Sequence, residues 1–242
     1  MIPILELVDV VKSYGAGPNE VRALTDVSLA IAPREFVAVR GPSGCGKSTL
    51  LHLAGGLEDP SAGRVLVDGR DVHTMTAPER ASLRRRDVGY VFQRLNLVAG
   101  LTALENVILP LELDGVGRRT AREQATDALH AVGLTQSLER YPDDFSGGQQ
   151  QRIAIARAVV GTRRLILADE PTGSLDTATG DSVIELLANL PAERDTAVVL
   201  VTHEPRYAAW ADRIVSMRDG RITSIASAPA EPSATAMPAG AR

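Results

Sequence analysis

Gly41-Pro42-Ser43-Gly44-Cys45-Gly46-Lys47-Ser48-Thr49 follows the apolar run Glu35-Phe36-Val37-Ala38-Val39 and precedes a segment in which Leu50, Leu51 and Ala54 recur at helical spacing. The order strand, glycine-rich turn, helix decides the fold class. Closely spaced glycines let successive backbone N–H groups turn inward on phosphate oxygens, and the start of the helix adds partial positive charge. Lys47 is then placed to reach β- and γ-phosphates. Ser48 offers a hydroxyl to Mg²⁺, an ion that keeps several waters and takes few protein ligands. The stretch predicts a P-loop that takes ATP with Mg²⁺. Cys45 is the sole cysteine, so no intrachain disulfide can form, and it is expected to serve as a small, inert loop residue.

Upstream of the loop, Ile4 to Val11 and Val21 to Ile31 read as strands. Downstream, Gly55-Gly56 ends the helix, Gly63 to Gly69 is a short strand closed by an Asp68-Gly69 turn, and Asp87 to Gln93 is a further strand. From Leu101 to about Ala158 the pattern turns helical, with Leu101, Leu104, Ile108 and Leu111 on one face and Pro110 expected to kink or break the segment. Arg164 to Asp169, Thr196 to Val201 and Asp212 to Met217 are continuous apolar runs, which marks strands buried on both faces of a parallel sheet. Asp219-Gly220 turns into a last strand, Arg221 to Ile225. The Ala-, Pro- and Ser-rich remainder from Ala226 onward has too little apolar surface to offset its ordering entropy and reads as a disordered tail.

A chain of 242 residues, 44% hydrophobic, can bury the core of one domain with subdomains. A net charge of −4 supplies no electrostatic footprint for nucleic acid, and no nucleic-acid partner is expected. Met1 to Leu5 is too short and uncharged for a signal segment, and no apolar run approaches the roughly 20 residues of a membrane-spanning helix. A cytoplasmic location is expected, with any membrane role peripheral. Arg84-Arg85-Arg86 reads as a solvated helix end.

ATP chemistry also needs an acid to hold the magnesium and a base to position the attacking water. Asp169 and Glu170 follow the apolar strand Leu165 to Ala168, at the strand end that opens onto a ligand crevice. Asp169 is the candidate magnesium partner and Glu170 the candidate base. Phe145-Ser146-Gly147-Gly148-Gln149-Gln150-Gln151-Arg152 opens a second helix with Ser146 as its N-cap. Lacking a lysine, it suits completion of a phosphate pocket rather than binding a nucleotide alone.

These motifs, in this order over Leu5 to Ile225, resemble those of the ATPase subunits of ABC transporters. The resemblance implies an α/β fold: a P-loop NTPase core of the RecA-like type, an N-terminal antiparallel β subdomain and an inserted α-helical subdomain. The expected boundaries are residues 1–226 for the cassette, about 95–160 for the helical insert and 227–242 for the tail. It implies that Tyr14 stacks on adenine and that Gln93 touches magnesium and senses a membrane partner. Ser146, Gly147, Gly148 and Gln149 become the signature motif, Asp176 the inter-subunit loop, and His203 the γ-phosphate contact. Phe145 stands where leucine is usual and Ser174 where alanine or asparagine is common, and neither change removes a chemical group.

The resemblance further implies a homodimer in which each signature motif faces the ATP of the opposite subunit. The work would pass to an integral membrane permease docked near Gln93 and along Leu97 to Pro110, at the cytoplasmic face of the membrane. His52 to Leu57, Leu101 to Leu111, Leu167 to Gly173 and Met217 to Gly220 are similar to the lipoprotein-release, macrolide-efflux and cell-division branch. Soluble DNA- or ribosome-associated relatives are the rival class. The chain lacks both their long coiled-coil insert and a second P-loop, and a non-catalytic regulator would not need Glu170 and His203. Cargo is not legible, because specificity lies in the partner.

Overall fold

The computed structural model describes residues 2–173 and 175–227. The chain opens with β1 (Leu5–Tyr14), β2 (Val21–Ile31) and β3 (Phe36–Arg40), followed by α1 (Lys47–Ala54). Next come β4 (Ala62–Val67), β5 (Arg70–Asp71), α2 (Ala77–Arg86) and β6 (Val88–Val91). Three helices follow, α3 (Ala103–Leu113), α4 (Arg118–Ala131) and α5 (Gly147–Val159). The chain then runs through β7 (Leu165–Asp169), α6 (Thr177–Arg194), β8 (Ala197–Val201), α7 (Pro205–Ala208), β9 (Arg213–Arg218) and β10 (Arg221–Ser227).

The apolar runs form a sheet ordered β10-β9-β3-β8-β7-β6, parallel throughout except for β10. Side chains alternate across a strand, so each buried strand feeds two cores. Phe36, Ala38, Ile166, Ala168, Val198 and Leu200 face a helical layer built from α3, α4, α5 and α6. Val37, Val39, Leu165, Leu167, Val199 and Val201 face α1 and a second, antiparallel sheet ordered β2-β1-β4-β5. This is the α/β P-loop NTPase architecture, with α1 wedged between two sheets. The tight turns are made by Asp68-Gly69 and Asp219-Gly220, with all four residues at positive φ, as twisted two-residue hairpins require.

Three expectations need correction. Pro110 does not break α3, which continues to Leu113. The helix is held by a capping box between Thr102 and Glu105 and by Leu104, Val107, Ile108 and Leu111 in the core, and this tertiary packing outweighs the local cost of proline. Within the expected docking run Leu97 to Pro110, Thr102, Ala103, Leu104, Asn106, Val107 and Ile108 are buried in the core, whereas Val98, Ala99, Gly100 and Glu105 stay exposed. The arginine run is a solvated helix end only in part, since Arg86 is exposed while Arg84 and Arg85 are half-buried. Arg84 donates to the Gly56 carbonyl at 2.8 Å, and Arg86 Nε lies 2.7 Å from Asp114, which fastens α2 to the end of α3. Ala226 and Ser227, expected in the tail, belong to β10, and the rest of that expectation falls on residues 228–242, which lie outside the described residues.

Gly89 is where the helical layer meets the sheet most closely. A Cβ there would sit 1.9 Å from the Ala158 carbonyl oxygen of α5 and 2.7 Å from Ile166 Cδ1. Because backbone cannot give way as a side-chain tip can, Gly89→Ala should destabilise the protein by about 3 kcal/mol. A lowered urea midpoint checks this, while a change below about 0.5 kcal/mol would show that α5 can slide on β6.

Candidate functional site

Parallel strands deliver their carboxyl ends to one edge of the sheet, and register fixes the level at which each arrives. Val39 pairs with Val201, Asp169 with Val201, and Ala168 with Val91. Extended past the strand ends, these pairings put Gly41 level with His203 and Gln93 level with Glu170, the two pairs within about one residue of each other on four neighbouring chain segments.

The loop between β3 and α1 is folded around its own lysine. Lys47 is 5% exposed, and its Nζ donates to the carbonyl oxygens of Gly41 and Pro42, both at 2.9 Å. Gly44 and Gly46 take positive φ of 76° and 100°. Gly46 is also required by space, because a Cβ would lie 2.4 Å from the Ala23 carbonyl oxygen. The loop is pinned from behind as well, since Cys45, buried, accepts a hydrogen bond from Gly220 N–H. Ser43 and Thr49 complete the run at the head of α1.

Asp169 ends β7 and is 5% exposed, with Oδ1 buried and unpartnered among the described residues. Burial pushes its carboxyl up, opposed by Ser48 as a hydrogen-bonding neighbour and by the nearby His52 and Lys47. A buried oxygen without a donor, beside a hydroxyl, fits a hard divalent cation that takes few protein ligands. Among the described residues, no group of three or more His, Cys, Asp or Glu side chains could hold a metal alone, so a cation here would rely on Ser48, Asp169 and the bound phosphates.

Glu170 sits at φ 44°, an uncommon conformation for a residue with a long side chain. It is held there by its own N–H donating to Val201 O at 3.0 Å and by its carbonyl accepting from Gly173 N–H. Its Oε1 lies 3.5 Å from His203 Nδ1, so the candidate base and the candidate phosphate contact are neighbours.

Tyr14 ends β1 beside α1. Its hydroxyl donates to Glu58 Oε2 at 2.6 Å, and Lys12 Nζ stands 4.9 Å from its ring centroid. Burial and then Glu58 raise its hydroxyl above the usual tyrosine range, and Thr49 is a further hydrogen-bonding neighbour. Glu58 also engages Lys12 and His52 at 3.1 Å each. Sequence reasoning missed Glu58, because an acid in a loop after a helix carries no motif. The nearest hint was its place just after the helix-ending glycines.

Ser146 caps α5 through a box in which Ser146 N–H donates to Gln149 Oε1 at 3.0 Å. Asp176 caps α6 by accepting from Thr179 N–H and Thr179 Oγ1. A Cβ on Gly148 would meet Thr179 Cγ2 at 2.6 Å, so the two helix starts touch where Gly147-Gly148 leaves room. Gln93 is exposed, two residues beyond β6.

A family model described as ABC transporter matches residues 24–173. A macrolide export ATP-binding/permease protein, MacB 1/2 of Paracoccus denitrificans, is 47% identical over 92% of this chain and 33% of its own length. The chain thus spans about a third of the length of these macrolide-export relatives. An uncharacterized ABC transporter ATP-binding protein of Thermotoga maritima is 46% identical over 93% of this chain and 96% of its own length. The solved dimeric, post-hydrolysis structure of the ATP-binding cassette MJ0796 bound to ADP and Pi superposes with a TM-score of 0.87 at 38% identity, covering 94% of this chain and 100% of that one.

The raised Asp169 carboxyl has a consequence for stability. The folded state holds its proton to higher pH than the unfolded state does, so stability falls as pH rises from the ordinary aspartate range through the folded value. In metal-free, nucleotide-free protein, Asp169→Asn should melt higher than the parent at about pH 7.5, with the gap narrowing toward about pH 4. A variant that melts lower at the higher pH would show that the ionised carboxylate has a stabilising partner.

Proposed function

Since this chain belongs to the ABC transporter family as an ATP-binding, ATP-hydrolysing cassette, we propose that it dimerises on ATP and drives a membrane permease of the export or mechanical-transmission type. The observation that carries this reading is the row of Gly41, His203, Glu170 and Gln93 along the carboxyl ends of adjacent parallel strands, with Lys47 and Asp169 buried beside it.

In the proposed mechanism, Lys47 exchanges its two loop carbonyls for β- and γ-phosphate oxygens. Gly41, Pro42, Ser43, Gly44, Cys45, Gly46, Ser48 and Thr49 line the phosphates, and Tyr14, steadied by Glu58, stacks on the base. Ser48 and Asp169 would hold Mg²⁺, with Gln93 beyond β6 as a further ligand, and the bound ion would supply charge neutralisation at the phosphates. Glu170 positions and deprotonates the attacking water, and its strained backbone aims the carboxylate outward from the sheet edge. His203, 3.5 Å from Glu170, donates to the γ-phosphate and links bond breaking to the base.

A second copy supplies Ser146, Gly147, Gly148 and Gln149 together with Asp176, which share one surface through Thr179. The dimeric MJ0796 cassette supports a pair of cassettes, and the proposal takes that pair as head-to-tail. The names of the macrolide-export relatives support a permease partner, which would hold the cassette at the cytoplasmic face of a membrane. No helix among the described residues is long and apolar enough to cross one. Docking near Gln93 would use the accessible part of the segment, where Val98 is 42% exposed, rather than the buried stripe of α3.

Glu170→Gln should lower ATP turnover by at least about 100-fold while an ATP-bound dimer accumulates on size exclusion. Parent-like turnover, or a variant that stays monomeric with ATP, would end the assignment of Glu170 as base. For docking, Val98→Glu should keep the parent's melting temperature and lose a co-expressed permease on purification, whereas Leu104→Asp should destabilise the fold by about 3 kcal/mol or more. Retention of the permease by the Val98 variant would remove this surface from consideration.

A further inference from the structure

Lys12 and Tyr14 stand two residues apart in β1, the spacing that sends side chains to one face of a strand. The Lys12 ammonium lies over the Tyr14 ring, 4.9 Å from its centroid, where the negative face of an aromatic ring attracts a cation. That contact takes one face of the ring. Tyr14 is still 40% exposed, although its hydroxyl edge is engaged as well.

The hydroxyl donates to Glu58 Oε2, and Lys12 Nζ stands 3.1 Å from the same oxygen. The other carboxylate oxygen, Oε1, meets His52 Nδ1 at 3.1 Å. Burial disfavours an ionised Glu58, yet the bonds from Tyr14, Lys12 and His52 outweigh it and hold the carboxyl below the usual glutamate range. Glu58 thus joins Lys12 and Tyr14 of β1 to His52 of α1, the helix that begins at the P-loop lysine.

The loop that carries Glu58 makes the same connection through the main chain. Lys12 Nζ donates to the Asp59 carbonyl at 2.8 Å, Ser13 N–H to Ser61 Oγ at 3.0 Å, and Ser61 N–H to the Val11 carbonyl at 2.8 Å. The pairing of β1 with β2 shifts register between Val10 and Lys12 and again between Lys12 and Ser13. An interrupted ladder re-aims the side chains beyond it, so the bonds to the Glu58 loop, rather than β2, set where the Tyr14 ring points. A ring covered on one face and pinned at its hydroxyl is oriented before a ligand arrives, which lowers the ordering cost of stacking on it.

Given Tyr14 as the base platform proposed above, we propose that Lys12 and Glu58 are positioning residues for the nucleotide base. Lys12 closes one face of the ring, so that the base stacks on the other. Glu58 ties the ring through His52 to the helix that carries the phosphate loop, and so sets the platform at the distance that the nucleotide spans.

Calorimetric titration of the full chain, in the presence of magnesium, compares ADP with ribose 5-diphosphate, the same ligand without its base. Tyr14→Ala should weaken ADP about tenfold or more and leave ribose diphosphate within about twofold. Lys12→Met and Glu58→Gln should each weaken ADP about fivefold and leave ribose diphosphate within about twofold. Lys12→Arg, which keeps a cation over the ring, should stay within about twofold of the parent for both ligands. Added to Tyr14→Ala, Lys12→Met should weaken ADP no further, because the ring it covers has gone. If Tyr14→Ala weakens ADP while neither Lys12→Met nor Glu58→Gln does, or if either of these weakens both ligands equally, the positioning role is overturned and the platform stands. If Tyr14→Ala binds ADP as the parent does, the platform falls and the positioning role falls with it.

Discussion

The buried ammonium of Lys47 is the constraint around which this molecule is organised. A cation 5% exposed needs oxygen on several sides, and the Gly41 and Pro42 carbonyls supply it at 2.9 Å. Bringing those carbonyls to one point forces the chain to reverse between β3 and α1, which requires the left-handed turns at Gly44 and Gly46. Gly46 in turn must fit against the Ala23 carbonyl of β2, and the Cys45 carbonyl accepts from Gly220 in the β9–β10 turn. The loop therefore ties the antiparallel sheet to the parallel one. The carbonyls that hold the lysine can be replaced only by something at least as negative, and phosphate oxygens are the natural replacement.

Around that point the structure tolerates unfavourable local arrangements that a purely structural fold would avoid. Asp169 keeps an unpartnered oxygen inside the protein, and Glu170 adopts a backbone conformation few residues choose. Both stand at the end of β7, where the sheet on either side, β6 and β8, makes the backbone rigid enough to hold them. An ionised carboxylate held there is costly unless a cation or a donor partners it. Arg163 is the same kind of irregularity at the other end of the same strand, with the opposite charge.

The helical layer shows how tertiary packing reassigns apolar residues. Leu104, Val107, Ile108 and Leu111 face the core, so that α3 survives Pro110 and Asn106 can turn inward, fully buried, to bond Val98, Leu101 and Thr102. What stays exposed in this stretch is the short segment before α3, which follows the strand end that bears Gln93. A movement of that segment would reach the nucleotide edge of the sheet through β6.

By itself the sequence determined whatever depends on local spacing: the strand, glycine loop and helix at Gly41 to Thr49, the parallel strands from their unbroken apolar runs, the Asp-Gly turns, and the acid pair after Leu165 to Ala168. These are legible because backbone geometry and burial on two faces constrain neighbouring residues in fixed periods. Tertiary structure alone decided that Gly41, Glu170, His203 and Gln93 come within about one residue of one level, since register between strands far apart in sequence sets it. It also decided that Tyr14 bonds Glu58, that half-buried Arg84 and exposed Arg86 both fasten α2 to its neighbours, and that Leu104 is core. Arg163 gave no signal in the sequence, where it is one of a pair of arginines before a strand; only the packed structure leaves its Nε and Nη1 buried without a hydrogen-bond partner among the described residues.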